Sequence, residues 1–135
     1  MKFEFLEHTA DIKFHAQGKT IEEVFCASAQ ALSVCIAGDN KIKKAKKKKI
    51  IIEAGDNEGL LYKFLDELIY LLDAERFVIA DVDISIKNYR LKAVVYGDNA
   101  SNYKNLSHVK AATYAEMKVK QLKDKSWEAV VVMDV

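Results

Sequence analysis

The pattern of apolar and polar residues predicts two long helices. Residues 57–75 place leucine, isoleucine and phenylalanine at i, i+3 and i+4 spacing over about four turns, which is typical of an amphipathic helix. Residues 21–37 carry a second apolar stripe with small residues around it. Thr20 and Glu23 form a capping-box pattern at its start, and Gly38 is a natural stop after its end.

Shorter apolar runs predict strands before, between and after these helices. Ile12, Phe14 and Ala16 alternate with polar residues, as a half-buried strand requires. Residues 77–87 and 91–96 predict a hairpin with a tight turn between its strands. A polar segment without periodicity follows, and two further strands complete the chain.

The predicted elements run in the order β-β-α-β-α-β-β-β-β. This order indicates an α/β fold of the α+β type, in which a mixed, largely antiparallel sheet of about six or seven strands packs against two long helices. The chain has 135 residues, 50% of them hydrophobic, and no proline that would mark a linker. We therefore predict one domain over residues 1–135 with a single core.

Charge and hydropathy narrow the class of protein. The net charge is +1, so a strongly basic nucleic-acid-binding domain is not indicated. No apolar run approaches the roughly 20 residues that span a bilayer, and no signal peptide opens the chain. We expect a cytoplasmic protein without a membrane partner.

Lysines crowd residues 41–49, which form the first half of a strand that we predict over residues 41–54. One interpretation, which we favour, is a solvated edge strand that its lysines keep from aggregating. The other is a docking patch for phosphates or for an acidic partner. The sequence leaves both open.

Acidic groups at the ends of two predicted strands are the candidate chemistry. Asp11 directly precedes the strand that begins at Ile12, and Asp134 lies beside the terminal carboxylate of Val135. If these strand ends meet, three anions converge into an oxygen-only set suited to Ca²⁺, Mg²⁺ or Mn²⁺ rather than to zinc. The competing interpretation is that Asp11 caps a turn and that the chain end is solvated.

Four further residues surround this candidate site. His8, next to Thr9, could orient Asp11 without contacting an ion itself, although a purely structural histidine is the alternative. By strand alternation, His15 is expected to point to the solvated face and to be inert. Lys110 could meet a phosphate or a carboxylate of a partner, or be an ordinary surface lysine.

Four short motifs resemble the archease family, and they occur in that family's order. They are His-Thr-Ala-Asp at 8–11, Phe-Leu-Asp-Glu-Leu at 64–68, Val-Lys-Ala-Ala-Thr-Tyr at 109–114 and Met-Asp-Val at 133–135. Each motif is weak alone, but four in order along the whole chain are specific. The family comprises small accessory factors of the GTP-dependent RNA-splicing ligase, which promote guanylylation of the ligase and multiple turnover.

The resemblance also implies roles for residues. It implies that Asp11, Asp134 and the carboxylate of Val135 hold a divalent cation, most often calcium, and that Lys110 is functionally important. It implies a protein cofactor rather than an enzyme, which meets RNA only through the ligase. The chain departs from the family at Ala115, where relatives often have histidine.

Two other functions are compatible with the same residues. One is a stand-alone metal-dependent hydrolase in which Asp11 and Asp134 hold an activated water, although no general base is evident. The other is a chaperone-like interaction domain whose acids only cap strand ends.

Overall fold

The computed structural model describes residues 1–7 and 11–135 of the chain. Its elements are β1 (Lys2–Leu6), β2 (Ile12–Gly18), α1 (Ile21–Ala37), β3 (Lys46–Glu53), α2 (Asn57–Glu75), β4 (Phe77–Lys87), β5 (Arg90–Asn99), β6 (Ala111–Gln121) and β7 (Trp127–Asp134), with a 3₁₀ turn (Ala100–Asn102) after β5. The predicted order of elements and the bounds of both helices are confirmed. Within the described ranges, no helix is long and apolar enough to cross a membrane.

The strands form two antiparallel sheets. One has four strands in the order β1-β2-β7-β6, and the other has three in the order β3-β5-β4. Every strand pair among the described residues is antiparallel. The helix α1 leads from one sheet to the other, and α2 connects β3 with β4, which β5 separates. Neither helix crossover therefore joins neighbouring strands, and the α+β prediction is confirmed with two sheets rather than one.

Both helices pack against both sheets and supply the centre of the core. The helix α1 lies against β2 and β4, and α2 lies against β6 and β4. Phe14, Phe25 and Phe64 are fully buried, and the rings of Phe25 and Phe64 meet between the helices at 5.9 Å. Polar caps start each helix, since Thr20 Oγ1 accepts from an amide of α1 and Asp56 Oδ1 from an amide of α2. The predicted cap of α1 is thus confirmed.

The lysine-rich segment forms an edge strand that is shorter than predicted. It begins at Lys46 rather than at residue 41, and β3 is an edge of the three-stranded sheet. Two of its lysines make ion pairs: Lys44 Nζ lies 3.1 Å from Asp81 Oδ2, and Lys48 pairs with Glu75. The residues before Lys46 lie outside the ladder with β5, whose register begins at Lys46.

The predicted hairpin of β4 and β5 is confirmed, and two residues connect its strands. Asn88 and Tyr89 connect β4 to β5, and both have positive φ, at 52° and 59°. Positive φ at both central residues defines a type I′ turn, whose twist matches that of the flanking strands. The return strand is longer than predicted, because β5 continues to Asn99.

The polar segment after β5 is organised around a buried carboxylate. Asp98 is 5% exposed and accepts hydrogen bonds from the Tyr103 hydroxyl at 2.8 Å, the Asn102 amide at 3.2 Å and the Asn99 backbone at 2.8 Å. The bond from Tyr103, followed by that from the Asn99 backbone, holds the pKa of Asp98 below its usual value. The polar residues that predict a loop here therefore form hydrogen bonds to the buried carboxylate of Asp98.

At Gly97 the backbone of β5 approaches β4 closely. The register between these strands shifts between Ile79 and Asp81, which is the signature of a bulge. A Cβ atom on Gly97 would lie 2.1 Å from the carbonyl oxygen of Val78 and 2.8 Å from the ring of Phe77. The backbone carbonyl cannot yield as a flexible side chain would, so this position requires glycine.

We predict that Gly97→Ala lowers the free energy of unfolding by roughly 1–3 kcal/mol, because the added methyl group overpacks the strand contact. Urea unfolding followed by circular dichroism measures this change. Gly55→Ala is the matched control, since a Cβ atom there meets nothing within 4 Å. An equal effect at both positions would contradict the close contact.

Candidate functional site

The register of the four-stranded sheet brings the predicted site residues to one end. Ile12 of β2 is opposite Met133 of β7 in the last pair of their register, so Asp11 directly precedes that pair on one strand and Asp134 directly follows it on the other. On the other side of β7, Ala111 of β6 is opposite Asp134. The preceding residue, Lys110, donates its backbone N–H to the Asp134 carbonyl at 2.8 Å. Three elements that are distant in sequence therefore meet at one sheet end.

Asp134 lies on the outer face of the sheet, away from the helices, and Asp11 directly precedes β2. In β2 the buried side chains of Phe14 and Ala16 alternate with those of the outer face, and the same alternation continued by one residue would assign Asp11 to the outer face. Asp134 follows the fully buried Met133 and is exposed. Opposite residues on one face have Cβ atoms about 4.5–5.5 Å apart, and like charges there repel. A cation bound between two such carboxylates would offset that repulsion.

The donor set fits a hard cation but does not complete its coordination. Asp11, Asp134 and the carboxylate of Val135 offer oxygen atoms only, which suits Ca²⁺, Mg²⁺ or Mn²⁺. Across residues 1–7 and 11–135, no three His, Cys, Asp or Glu side chains are grouped so that they could hold a metal ion. The remaining oxygens around an ion would have to come from water, from backbone carbonyls or from a bound partner. The predicted supporting residues His8 and Thr9 lie outside the described residues.

An ion pair beside the predicted site is not evident from the sequence. Lys13 is two residues from Asp11 on the same face, and its Nζ lies 3.0 Å from Glu116 Oε1. Glu116 reaches this position because β6 bulges between Thr113 and Lys118, where Glu116 adopts a φ of 60°. Bulges often redirect side chains next to functional sites. No pattern in the sequence predicts the left-handed backbone conformation of Glu116, so this ion pair could not be predicted from the sequence.

The outer face also holds His15 between two carboxylates. The side chain of His15 points outward, as predicted, but it is only 16% exposed. Its Nε2 lies 2.9 Å from Glu128 Oε2, and its Nδ1 lies 3.6 Å from Glu4 Oε1. Lys120 approaches the other oxygen of Glu128 at 3.4 Å. The bond with His15, more than that with Lys120, holds the pKa of Glu128 below its usual value.

Comparison with known proteins decides the family. The sequence profile described as the archease protein family (MTH1598/TM1083) matches residues 3–135. This chain belongs to the archease family. It is 39% identical to the protein archease of Pyrococcus abyssi (strain GE5 / Orsay), over 99% of each chain. It is 38% identical to the protein archease of Pyrobaculum neutrophilum, over 98% of this chain and 95% of the relative.

A solved structure supports the archease fold. The solution structure of Methanobacterium thermoautotrophicum protein 1598 superposes with a TM-score of 0.79, at 29% identity and over 98% of both chains. The similarity therefore covers both sheets and both helices, and it includes the strands β2, β6 and β7 that carry the predicted site.

The lowered pKa of Glu128 predicts a pH dependence of stability. An unfolded glutamate titrates near pH 4.3, so the favourable contacts of Glu128 are fully present above that pH and are lost as the pH falls through its lowered folded pKa. We expect Glu128→Gln to reduce the free energy of unfolding at pH 6 by at most about 1 kcal/mol, and this deficit to shrink as the pH falls through the lowered folded pKa of Glu128. Urea unfolding at pH 6 and over this lower pH range measures the difference.

Proposed function

We propose that this chain activates the GTP-dependent RNA-splicing ligase in the cytoplasm, as a protein cofactor without enzymatic activity of its own. The observation that supports the proposal is the register that pairs Ile12, directly after Asp11, with Met133, directly before Asp134, with Lys110 bonded to the same strand end. Membership of the archease family supports it, because the motif resemblance implies this accessory role. RNA would be met only through the ligase.

In this proposal Asp11, Asp134 and the Val135 carboxylate hold a divalent cation, with calcium the first choice and magnesium or manganese possible. Calcium takes six to eight oxygen ligands, so three carboxylates leave positions for oxygens of a partner. When bound, the cation would supply positive charge close to the phosphates of the ligase's nucleotide. Asp134 and Val135 are exposed, so this end of the sheet is accessible to a partner protein.

Lys110 would be the second contact with the partner. Its backbone bond to the Asp134 carbonyl, at 2.8 Å, ties the approach to β6 to the end of β7. Its side chain is exposed, so the ammonium group is available to a phosphate or to a carboxylate of the ligase. The backbone bond fixes the position of the Lys110 main chain relative to Asp134. The lysine and the carboxylates could therefore contact the same region of the ligase.

The metal site predicts a measurable affinity. Calorimetry with Ca²⁺ and with Mn²⁺ should show binding to the wild type that falls at least about tenfold in Asp11→Ala and in Asp134→Asn, because each removes a ligand. Extending the chain beyond Val135 should also weaken binding, since it converts the terminal carboxylate into an amide. Asp39→Asn is the control for the loss of one exposed carboxylate. Unchanged affinity in all variants would overturn the metal proposal.

The accessory role predicts the behaviour of a ligase assay. With GTP and Mn²⁺, addition of this chain should raise the fraction of guanylylated ligase and convert single-turnover joining into multiple turnover. Asp11→Ala, Asp134→Ala and Lys110→Ala should each abolish this stimulation with little change in the melting temperature, since surface substitutions carry little packing. Lys123→Ala, in the turn between β6 and β7, should keep it.

Two outcomes would replace the accessory role with another function. Joining or cleavage of RNA by the chain without the ligase would indicate a stand-alone enzyme. A ligase that ignores the chain, together with metal-independent binding to other proteins, would indicate a chaperone-like domain.

A further inference from the structure

One edge of the three-stranded sheet, at β4, is covered by the chain's own side chains. Ser33 Oγ of α1 donates to the carbonyl of Ile79 at 3.0 Å, and Cys26 Sγ of the same helix lies 3.7 Å from the carbonyl of Val82. These contacts satisfy backbone groups of β4 that have no neighbouring strand. The edge at β4 is therefore closed to a further strand.

The opposite edge, at β3, is open over most of its length. Within the described part of the chain, the only side chain that bonds its backbone is Lys63, whose Nζ donates to the Glu53 carbonyl at 2.9 Å. That contact lies at the last residue of the strand. From Lys46 to Ile52 the open side of β3 presents backbone groups that another strand could use.

The ladder shows which backbone groups face outward. Ala54 N donates to Tyr89 O at 3.2 Å and continues the pairing of β3 with β5, whereas the Glu53 carbonyl faces Lys63 on the other side. In an antiparallel pair, residues alternate between those bonded to the partner and those turned away from it. The residues of β3 whose N–H and C=O groups face the open edge are Lys47, Lys49 and Ile51.

The side chains of these three residues also share the outer face of the sheet. Ile50 and Ile52 pack against the core, so their neighbours point away from it. Ile51 is 59% exposed, and a groove of about 380 Å³ runs beside it over Val94 and Lys92. The open edge thus carries two lysines followed by an exposed apolar residue along one line.

We propose that β3 is the docking edge for an extended acidic segment of a partner protein, which adds to the sheet as a fourth strand. Cross-strand neighbours on one face interact directly, so the segment would place acidic residues beside Lys47 and Lys49 and an apolar residue beside Ile51. The inference rests on the proposed function, under which the partner is the ligase.

The observations favour a protein segment over RNA. A peptide strand can form main-chain hydrogen bonds with the row of free backbone N–H and C=O groups along β3, whereas a nucleic acid has no matching row of donors and acceptors. The exposed Ile51 and the neighbouring Val94 offer apolar surface, which an apolar side chain of a peptide can cover and a phosphate backbone cannot. The net charge of the chain is +1, which gives little general attraction for a polyanion.

Hydrogen exchange on the complex tests strand addition directly. In the free chain the amides of Lys47, Lys49 and Ile51 should exchange rapidly, and in the complex with the ligase they should be slowed at least about tenfold, because each becomes hydrogen-bonded. The amides of Lys48 and Ile50 already face β5 and serve as internal controls. A complex in which the three outward amides keep their free rates overturns the inference and leaves the proposed function standing. Failure of the wild-type chain to bind the ligase overturns both.

Variants separate the charge from the backbone. Reversal of both outward lysines, as Lys47→Glu with Lys49→Glu, should weaken the complex about tenfold, whereas the same reversal at Lys19 and Lys123 should not. Lys49→Pro removes an outward N–H that the ladder with β5 does not use, and Lys49→Thr removes the same charge but keeps that N–H. We expect Lys49→Pro to weaken binding roughly threefold to tenfold more than Lys49→Thr, with melting temperatures confirming that each variant folds.

An electrostatic surface for RNA gives a different pattern in the same experiment. Equal affinities of Lys49→Pro and Lys49→Thr for the ligase would overturn strand addition. So would binding of a single-stranded RNA oligonucleotide to the free chain that the Lys47→Glu, Lys49→Glu variant loses, if the three amides stay unprotected in the ligase complex.

Discussion

The placement of the last strand between β2 and β6 is the constraint on which the candidate site depends. Because β7 pairs with both neighbours, its register decides what lies at the sheet end on either side. Its inward residues, Ala129, Val131 and Met133, are fully buried, so their removal from water holds the register. A slip by one residue would put Asp134 into the core. Burial of the inward residues of β7 thus fixes the position of the Asp134 carboxylate on the outer face.

The outer face of that sheet is organised by charge rather than by apolar contact. Glu4, His15 and Glu128 line up across β1, β2 and β7, and the pair of Lys13 with Glu116 connects β2 to the bulge of β6. Each such pair contributes little to stability where it is exposed. Together they make much of that face polar, and Val132 of β7 is the buried apolar residue between them and Asp134. The sheet end at Asp134 is where a cation and a partner could be accommodated without disturbing the core.

The two edges of the three-stranded sheet are protected in different ways, and this difference suggests a role for the lysine-rich segment. The helix α1 covers β4 with side-chain bonds, whereas β3 has lysines on its open edge. Lysines on an edge discourage pairing with another copy of the same strand, since like charges would face each other. The same lysines admit an acidic strand. Protection from self-association and selection of a partner therefore use one set of residues.

The sequence alone determined both helices, the cap of α1 and the tight hairpin, because these depend on residues within a few positions of each other. The bounds of α1 and α2 follow from apolar periodicity, and the turn at Asn88 follows from strand alternation on either side. The sequence also placed Asp11 and Asp134 at strand ends.

Only the tertiary structure decided how strands that are distant in sequence pair. The division into two sheets, the approach of the start of β2 to the end of β7 and the bulge that carries Glu116 all depend on contacts between strands. So does the closure of one sheet edge and not the other. The pairing of β2 with β7 joins residues more than a hundred positions apart through the burial of one face, and no local pattern of polar and apolar residues encodes that distance.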